Sequence, residues 1–246
     1  MDPRDIQDFK GYLVRKGLKP ATINRRLKAL RRFFAWAKQR GLAEDSPYDI
    51  LESFLVKEQK DTAPRWLSRS EQLALLRATR KSKRRRDLAI IQTLLGTGLR
   101  ISELVALRLE DVDISERKGV LRVRAGKGSK ARDIPLDNKT RRALSRYLEE
   151  ERPEAETDLL FLGQRGPLSE PGIHYLVTKY AYQAQLEDVT SHTLRHTFAK
   201  NLVDADTPLD QVATLLGHES LDTTRIYTRP SEQDLERAVR RAAGEI

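Results

Sequence analysis

Near the C-terminus the chain reads Ser191-His192-Thr193-Leu194-Arg195-His196, then Gly217-His218, then Tyr227. His192 and Arg195 stand three residues apart, so on a helix they share one face and can address one small anionic target together. The stretch from His218 to Tyr227 has room for a loop and one short helix, enough to bring a phenol back beside the imidazoles. A phenol, imidazoles and a guanidinium gathered in one place suit nucleophilic attack on a phosphate. His196 points off the face of the pair and reads as a core or supporting group. His174, on a separate helical stretch, reads as a structural or surface residue.

The rest of such a site can be sought upstream. In Gly96-Thr97-Gly98-Leu99-Arg100-Ile101-Ser102-Glu103-Leu104 the glycines permit close backbone approach, and Arg100 falls in the first turn of a helix, a plausible seat for an anion. Two glycines at this spacing do not make a nucleotide-binding loop, which would carry Gly-Lys-Ser/Thr. Gly119 to Arg124 alternates with period two, Gly126-Lys127-Gly128-Ser129-Lys130 turns, and Ala131 to Leu136 alternates back, the pattern of a β-hairpin with lysines at its tip.

In-line displacement at phosphorus places negative charge on the non-bridging oxygens. Arg100 and Arg195 can clamp them with forked hydrogen bonds, a geometry no lysine reproduces. His192 is the candidate base for the Tyr227 hydroxyl, and Lys127 the candidate acid that protonates the departing 5′-oxygen. His218 would donate to the attacked phosphate, and Glu103, one turn from Arg100, would hold that guanidinium in place. With two arginines at the phosphate, no metal and no other cofactor is expected.

Composition points the same way. The 246 residues carry a formal charge of +10 and a pI near 9.8, which favours a polyanionic partner, nucleic acid such as double-stranded DNA or an anionic membrane surface. No apolar run is long enough to span a membrane and no signal pattern opens the chain, so a soluble, cytoplasmic protein is expected. Zero cysteines exclude disulfides and thiolate chemistry, and four histidines leave little for a metal site.

From Phe9 to Ala43 there is no acidic residue. Pro20 opens a helical pattern in which Ile23, Leu27, Leu30, Phe34 and Ala37 recur at three- and four-residue steps, and Gly41 closes it. Arg25, Lys28 and Arg32 fall on the opposite side, and an unmixed positive face is read as a DNA contact, as is Lys130 on the hairpin. Lys57 to Trp66 reads as a linker, Lys81 to Arg86 as a basic loop, and Trp36 and Trp66 as core anchors rather than base-stacking platforms. Helices are expected over Asp87 to Leu95, Arg141 to Glu151, Ile173 to Ala184, Thr193 to Val203, Pro208 to Leu216 and Leu221 to Ile226. A last one is expected from Ser231 to Ala243, too short to stand alone and therefore docked against a further surface. The fold class is mainly α with a small antiparallel β-sheet.

Taken together, the Gly96 to Leu104 run, the Lys127 hairpin, His192-Thr193-Leu194-Arg195-His196, Leu216-Gly217-His218 and Tyr227 resemble the tyrosine recombinases, of the phage-integrase and Xer-like kind. The resemblance implies a catalytic domain over residues 61–246, preceded by a SAM-like helical core-binding segment over 1–60 that is short for the family. It implies Arg100, Arg195, Lys127, His192, His218 and Tyr227 as the catalytic set. It also implies a 3′-phosphotyrosyl intermediate, strand exchange as in integration, excision or chromosome dimer resolution, and a DNA-bound tetramer of two dimers. A type IB topoisomerase shares this chemistry without exchanging partners, and a DNA-binding regulator could keep the fold without using Tyr227. Residues alone leave both open.

Overall fold

The computed structural model describes residues 3–42, 51–57, 64–125, 131–163, 166–218, 224, 226–228, 239–240 and 242–244. The chain divides into two compact units, Met1–Thr62 and Ala63–Ile246.

In the first unit, α1 (Pro3–Arg15) and α2 (Pro20–Gln39) pack through Ile6, Leu13, Ile23 and Leu27, joined by Leu51. Proline at the first turn of α2 suits its missing amide, and Gly41 just past the end adopts a φ of +67°. Asn24, buried on α2, both donates to the Val56 carbonyl and accepts from the Val56 amide, each at 2.8 Å, which ties residues 51–57 to the helix. Trp36 departs from the sequence reading: it is 47% exposed, its ring tilted beside Phe33 with Arg40 over it. The apolar stripe of α2 runs through Ile23, Leu27, Leu30, Phe34 and Ala37, and position 36 lies off it.

The second unit is mainly helical. Helices α3 (Arg69–Lys81), α4 (Arg85–Thr97), α5 (Ile101–Ala106), α6 (Asn138–Glu150), α7 (Glu170–Gln183) and α8 (Ser191–Asp204) surround one large core, and α8 shares a smaller one with α9 (Leu209–Leu216) and Tyr227. Ser68 caps α3 in a reciprocal capping box with Glu71. The basic run 81–86 holds a loop shorter than expected, residues 82–84, because α3 continues to Lys81 and α4 begins at Arg85.

A three-stranded antiparallel sheet, ordered β1 (Val112–Ile114), β2 (Gly119–Val123), β3 (Arg132–Pro135), lies beside the helices. The expected hairpin is β2 and β3, paired in register from Val120↔Pro135 to Val123↔Arg132, and its tip at 126–130 lies outside the described residues. β1 was not legible, since three residues are too few to show an alternation. A two-residue pair, Leu162–Gly163 with Gly166–Pro167, completes the strands described. Trp66 is half-buried rather than a core anchor, with the Lys200 ammonium over its ring. Most of the expected helices at 221–226 and 231–243 falls outside the described residues, and Ile226–Thr228 is a single 3-10 turn. Among the described residues no helix is long and apolar enough to cross a membrane.

Candidate active site

Helix α8 sets the first part of the site. Thr190 caps it by accepting from the Thr193 amide at 3.2 Å, which fixes the first turn and places His192 and Arg195 on one side. Thr197, on the same helix, accepts from the Leu67 amide at 2.9 Å and anchors α8 to the segment before α3.

Arg195 is 5% exposed and spans two helix ends. Its Nη1 donates to the Gly98 carbonyl at 2.6 Å and its Nη2 to the Leu216 carbonyl at 2.7 Å. Gly98 is the C-cap of α4 and Leu216 the last residue of α9, so the negative ends of two helix dipoles meet at one buried guanidinium. Burial, then the charge of Arg100, pulls Arg195 down to about 10, which leaves it protonated at neutral pH.

The glycines permit the close approach expected of them, but toward neighbouring helices. Gly98 adopts a φ of +62°, and a Cβ there would meet Phe198 at 2.4 Å; a Cβ on Gly96 would meet the Thr140 hydroxyl at 2.3 Å. They bring helices together and aim a carbonyl at Arg195, and their space is filled by side chains rather than left for an anion. The Arg100 amide is also taken, since it donates to Glu103 Oε2 at 2.8 Å.

Glu103 holds Arg100 as expected, with Nη1 donating to Oε1 at 3.1 Å, while Arg100 Nη2 reaches the Gly217 carbonyl at 3.4 Å. A second, unforeseen guanidinium occupies the other side of this carboxylate. Arg132 donates from Nη1 to Oε1 at 3.0 Å, from Nη2 to Oε2 at 2.9 Å, and from Nε to the Leu215 carbonyl at 2.8 Å. Burial alone would raise the Glu103 carboxyl, but bonds from Arg132 and the Arg100 amide, with both cationic charges, hold it below the usual carboxylate range. The sequence carried a signal for Arg132: it alternates in phase with core-facing Ile134, and an arginine so placed requires a buried partner.

Gly217 ends α9 with a φ of +65°, turning the chain so that His218 follows. The Nδ1 of His218 pairs with Thr224 Oγ1 at 3.0 Å, which leaves Nε2 for an incoming group. Burial, then Arg195 and Arg100, pushes His218 down to about 4. His192 is exposed; the protein around its ring, then Arg195, His174 and Arg100, pulls it below the usual imidazole range. His174 thus lies within electrostatic range of the site from which the sequence reading set it apart.

Tyr227 is 1% exposed, packed with Phe198, Ala199, Val212 and Leu216. Its hydroxyl lies 2.7 Å from His196 Nδ1. Burial, then His192 and Arg195, pushes His196 down to about 4, and a neutral ring can accept the hydroxyl's proton in a hydrogen bond. Burial raises Tyr227 above the usual phenol, partly offset by Arg195.

Bonds and charge interactions around the ends of α4, α5 and α9 thus bring together Arg100, Glu103, His192, Arg195, His218 and Tyr227, with His196 and Arg132 beside them. Lys127 and Lys130 lie outside the described residues. Arg25, Lys28 and Arg32 are exposed on α2 of the other unit. Among the described residues no group of three or more His, Cys, Asp or Glu side chains could hold a metal ion.

The phage integrase family model matches residues 65–234, and the model of its N-terminal SAM-like domain matches residues 1–41. The chain belongs to the phage integrase family and is a site-specific tyrosine recombinase of the Xer-like kind. Over 239 residues it is 34% identical to tyrosine recombinase XerC of Thermodesulfovibrio yellowstonii, covering 93% of this chain and 77% of that protein. Against tyrosine recombinase XerC of Pelotomaculum thermopropionicum the identity is 35%, covering 98% of this chain and 81% of the relative. Two solved structures are also similar. The XerA recombinase superposes with a TM-score of 0.65 at 28% identity, over 98% of this chain and 83% of that one. The XerH recombinase bound to a palindromic difH substrate, in a post-cleavage complex, superposes with a TM-score of 0.79 at 26% identity, over 98% and 72%.

Proposed function

We propose that this recombinase cuts and rejoins double-stranded DNA through a 3′-phosphotyrosyl intermediate on Tyr227. Arg100 and Arg195 clamp the non-bridging oxygens, and His218 donates to them through Nε2. His192 takes the phenolic proton when the tyrosine reaches the phosphate, and Lys127 on the hairpin returns a proton to the 5′-oxygen. No metal enters these steps. The observation that carries the reading is the seating of Arg195 between the Gly98 and Leu216 carbonyls, within electrostatic range of both Arg100 and Tyr227.

Residues 1–60 serve as a core-binding segment, with Arg25, Lys28 and Arg32 on DNA phosphates and Lys130 a further contact from the catalytic domain at 61–246. Two dimers pair two sites as a tetramer, with the helix at 231–243 docked on a neighbouring copy, in the cytoplasm, for integration, excision or chromosome dimer resolution. The test is covalent trapping. A duplex site selected by binding from random-sequence DNA, nicked beside the cleaved phosphate, should yield a protease-sensitive adduct with the wild-type chain in excess chelator and none with Tyr227→Phe. An adduct that survives Tyr227→Phe overturns the assignment. A reaction limited to relaxing supercoiled DNA, with no exchange between two sites, would favour the topoisomerase-like reading.

A further inference from the structure

Arg132 has no part in the chemistry so far, yet it is 9% exposed and every nitrogen of its guanidinium is engaged. Its partners come from two other places in the chain. Glu103, on α5, takes the fork, and the Leu215 carbonyl, in the last turn of α9, takes Nε. Glu103 is saturated as a result: Oε1 accepts from Arg100 Nη1 and Arg132 Nη1, and Oε2 from the Arg100 amide and Arg132 Nη2. Packing against Gly217 is tight as well, since a Cβ there would lie 2.7 Å from Arg132 Nη1.

We infer that Arg132 is a positioning residue for DNA cleavage: it fixes the Glu103 carboxylate that orients the Arg100 guanidinium and, through Leu215, the turn that presents His218. A carboxylate with one cationic partner can swing with it. One held from behind by a rigid fork offers Arg100 a fixed surface, so its remaining donors point in one direction. Arg132 opens the strand that follows the hairpin tip, so the same residue also links the chain carrying Lys127 to the phosphate seat. A lysine here would supply charge but not three bonds in a plane.

The inference rests on the reading of Arg100 as a phosphate clamp, and the experiment separates the two. Single-turnover adduct formation is measured on the nicked selected site with either a normal phosphodiester or a methylphosphonate at the cleaved position. The methylphosphonate carries no negative charge for a clamp to hold. Arg132→Met should bind the site with unchanged Kd, lose about 10²-fold in rate on the phosphodiester, and lose far less on the methylphosphonate. In an Arg100→Ala background, Arg132→Met should cost clearly less than it does in the wild type, because its route through Arg100 is already removed and only the support of the His218 turn is left. Equal losses on both linkages would make Arg132 plain scaffold and overturn the inference. A wild-type rate for Arg132→Met beside a crippled Arg100→Ala would overturn it alone, while a wild-type rate for Arg100→Ala would overturn the clamp itself. If Arg132→Met does not fold, Arg132→Lys gives the answer, since it keeps a cation beside Glu103. The same linkage-dependent loss is expected, and equal losses on the two linkages, or none on either, refute the positioning role.

Discussion

The Tyr227 hydroxyl and the Nδ1 of His196 are 2.7 Å apart, and no other described group pairs with that hydroxyl. The proposed nucleophile is therefore held by the histidine next to Arg195 rather than by His192. On the proposed reading the hydroxyl exchanges His196 for the phosphate as it reacts.

A double-mutant cycle measures this pairing. Tyr227→Phe and His196→Ala should each destabilise the chain, and the pair together by less than the sum, with a coupling of about 1 kcal/mol in urea unfolding. Strict additivity would mean that the bond contributes nothing.

His196 and His218 also make stability depend on pH. Both sit at about 4 in the fold, against about 6.5 for a free imidazole. Between those values the unfolded chain binds protons that the folded one refuses, so stability is full above about pH 6.5 and is lost as pH falls toward 4. Both rings keep partial solvent contact, so a loss on the order of 2 kcal/mol is expected, below the full linkage figure. The thermal midpoint of His196→Gln/His218→Gln should change less between pH 6.5 and 5 than that of the wild type. Parallel curves would remove the two histidines as its source.

Gly96 makes a separable packing claim. Gly96→Ala would press a methyl into the Thr140 hydroxyl, costing roughly 1–3 kcal/mol, and Thr140→Ala in the same chain should recover most of it. The Thr140 oxygen is buried without a hydrogen-bond partner, so its removal leaves nothing unsatisfied. Failure of the second substitution to rescue the first would show that the α4–α6 approach is limited elsewhere.

On α2, exchange of Arg25, Lys28 and Arg32 for Gln should flatten the dependence of log K on log salt by roughly 0.9 unit per lost phosphate contact. An unaltered slope returns these side chains to an ordinary solvated face.

What the sequence revealed was whatever depended on short spacings. His192 and Arg195 share α8, Glu103 reaches Arg100 three residues away, and the β2–β3 hairpin announced itself by alternation. What stayed hidden depended on side chains meeting across the fold. His196 was set aside because it leaves the face of His192 and Arg195, yet that other face is where Tyr227 arrives, 31 positions later. Arg132 met Glu103 across 29 positions, and no local pattern names such a pair. Trp36 shows the opposite error, in which a large apolar residue was assigned inward by type when its angular position on α2 pointed outward.

The bonds that build the phosphate seat join positions 97, 117, 83 and 21 residues apart. No short fragment of the chain contains that seat, and loosening α4, α8, α9 or the strand at Arg132 breaks at least one of its supports. For a site-specific DNA recombinase this acts as a safeguard. A copy in which any one of these supports has failed has no assembled seat with which to cut.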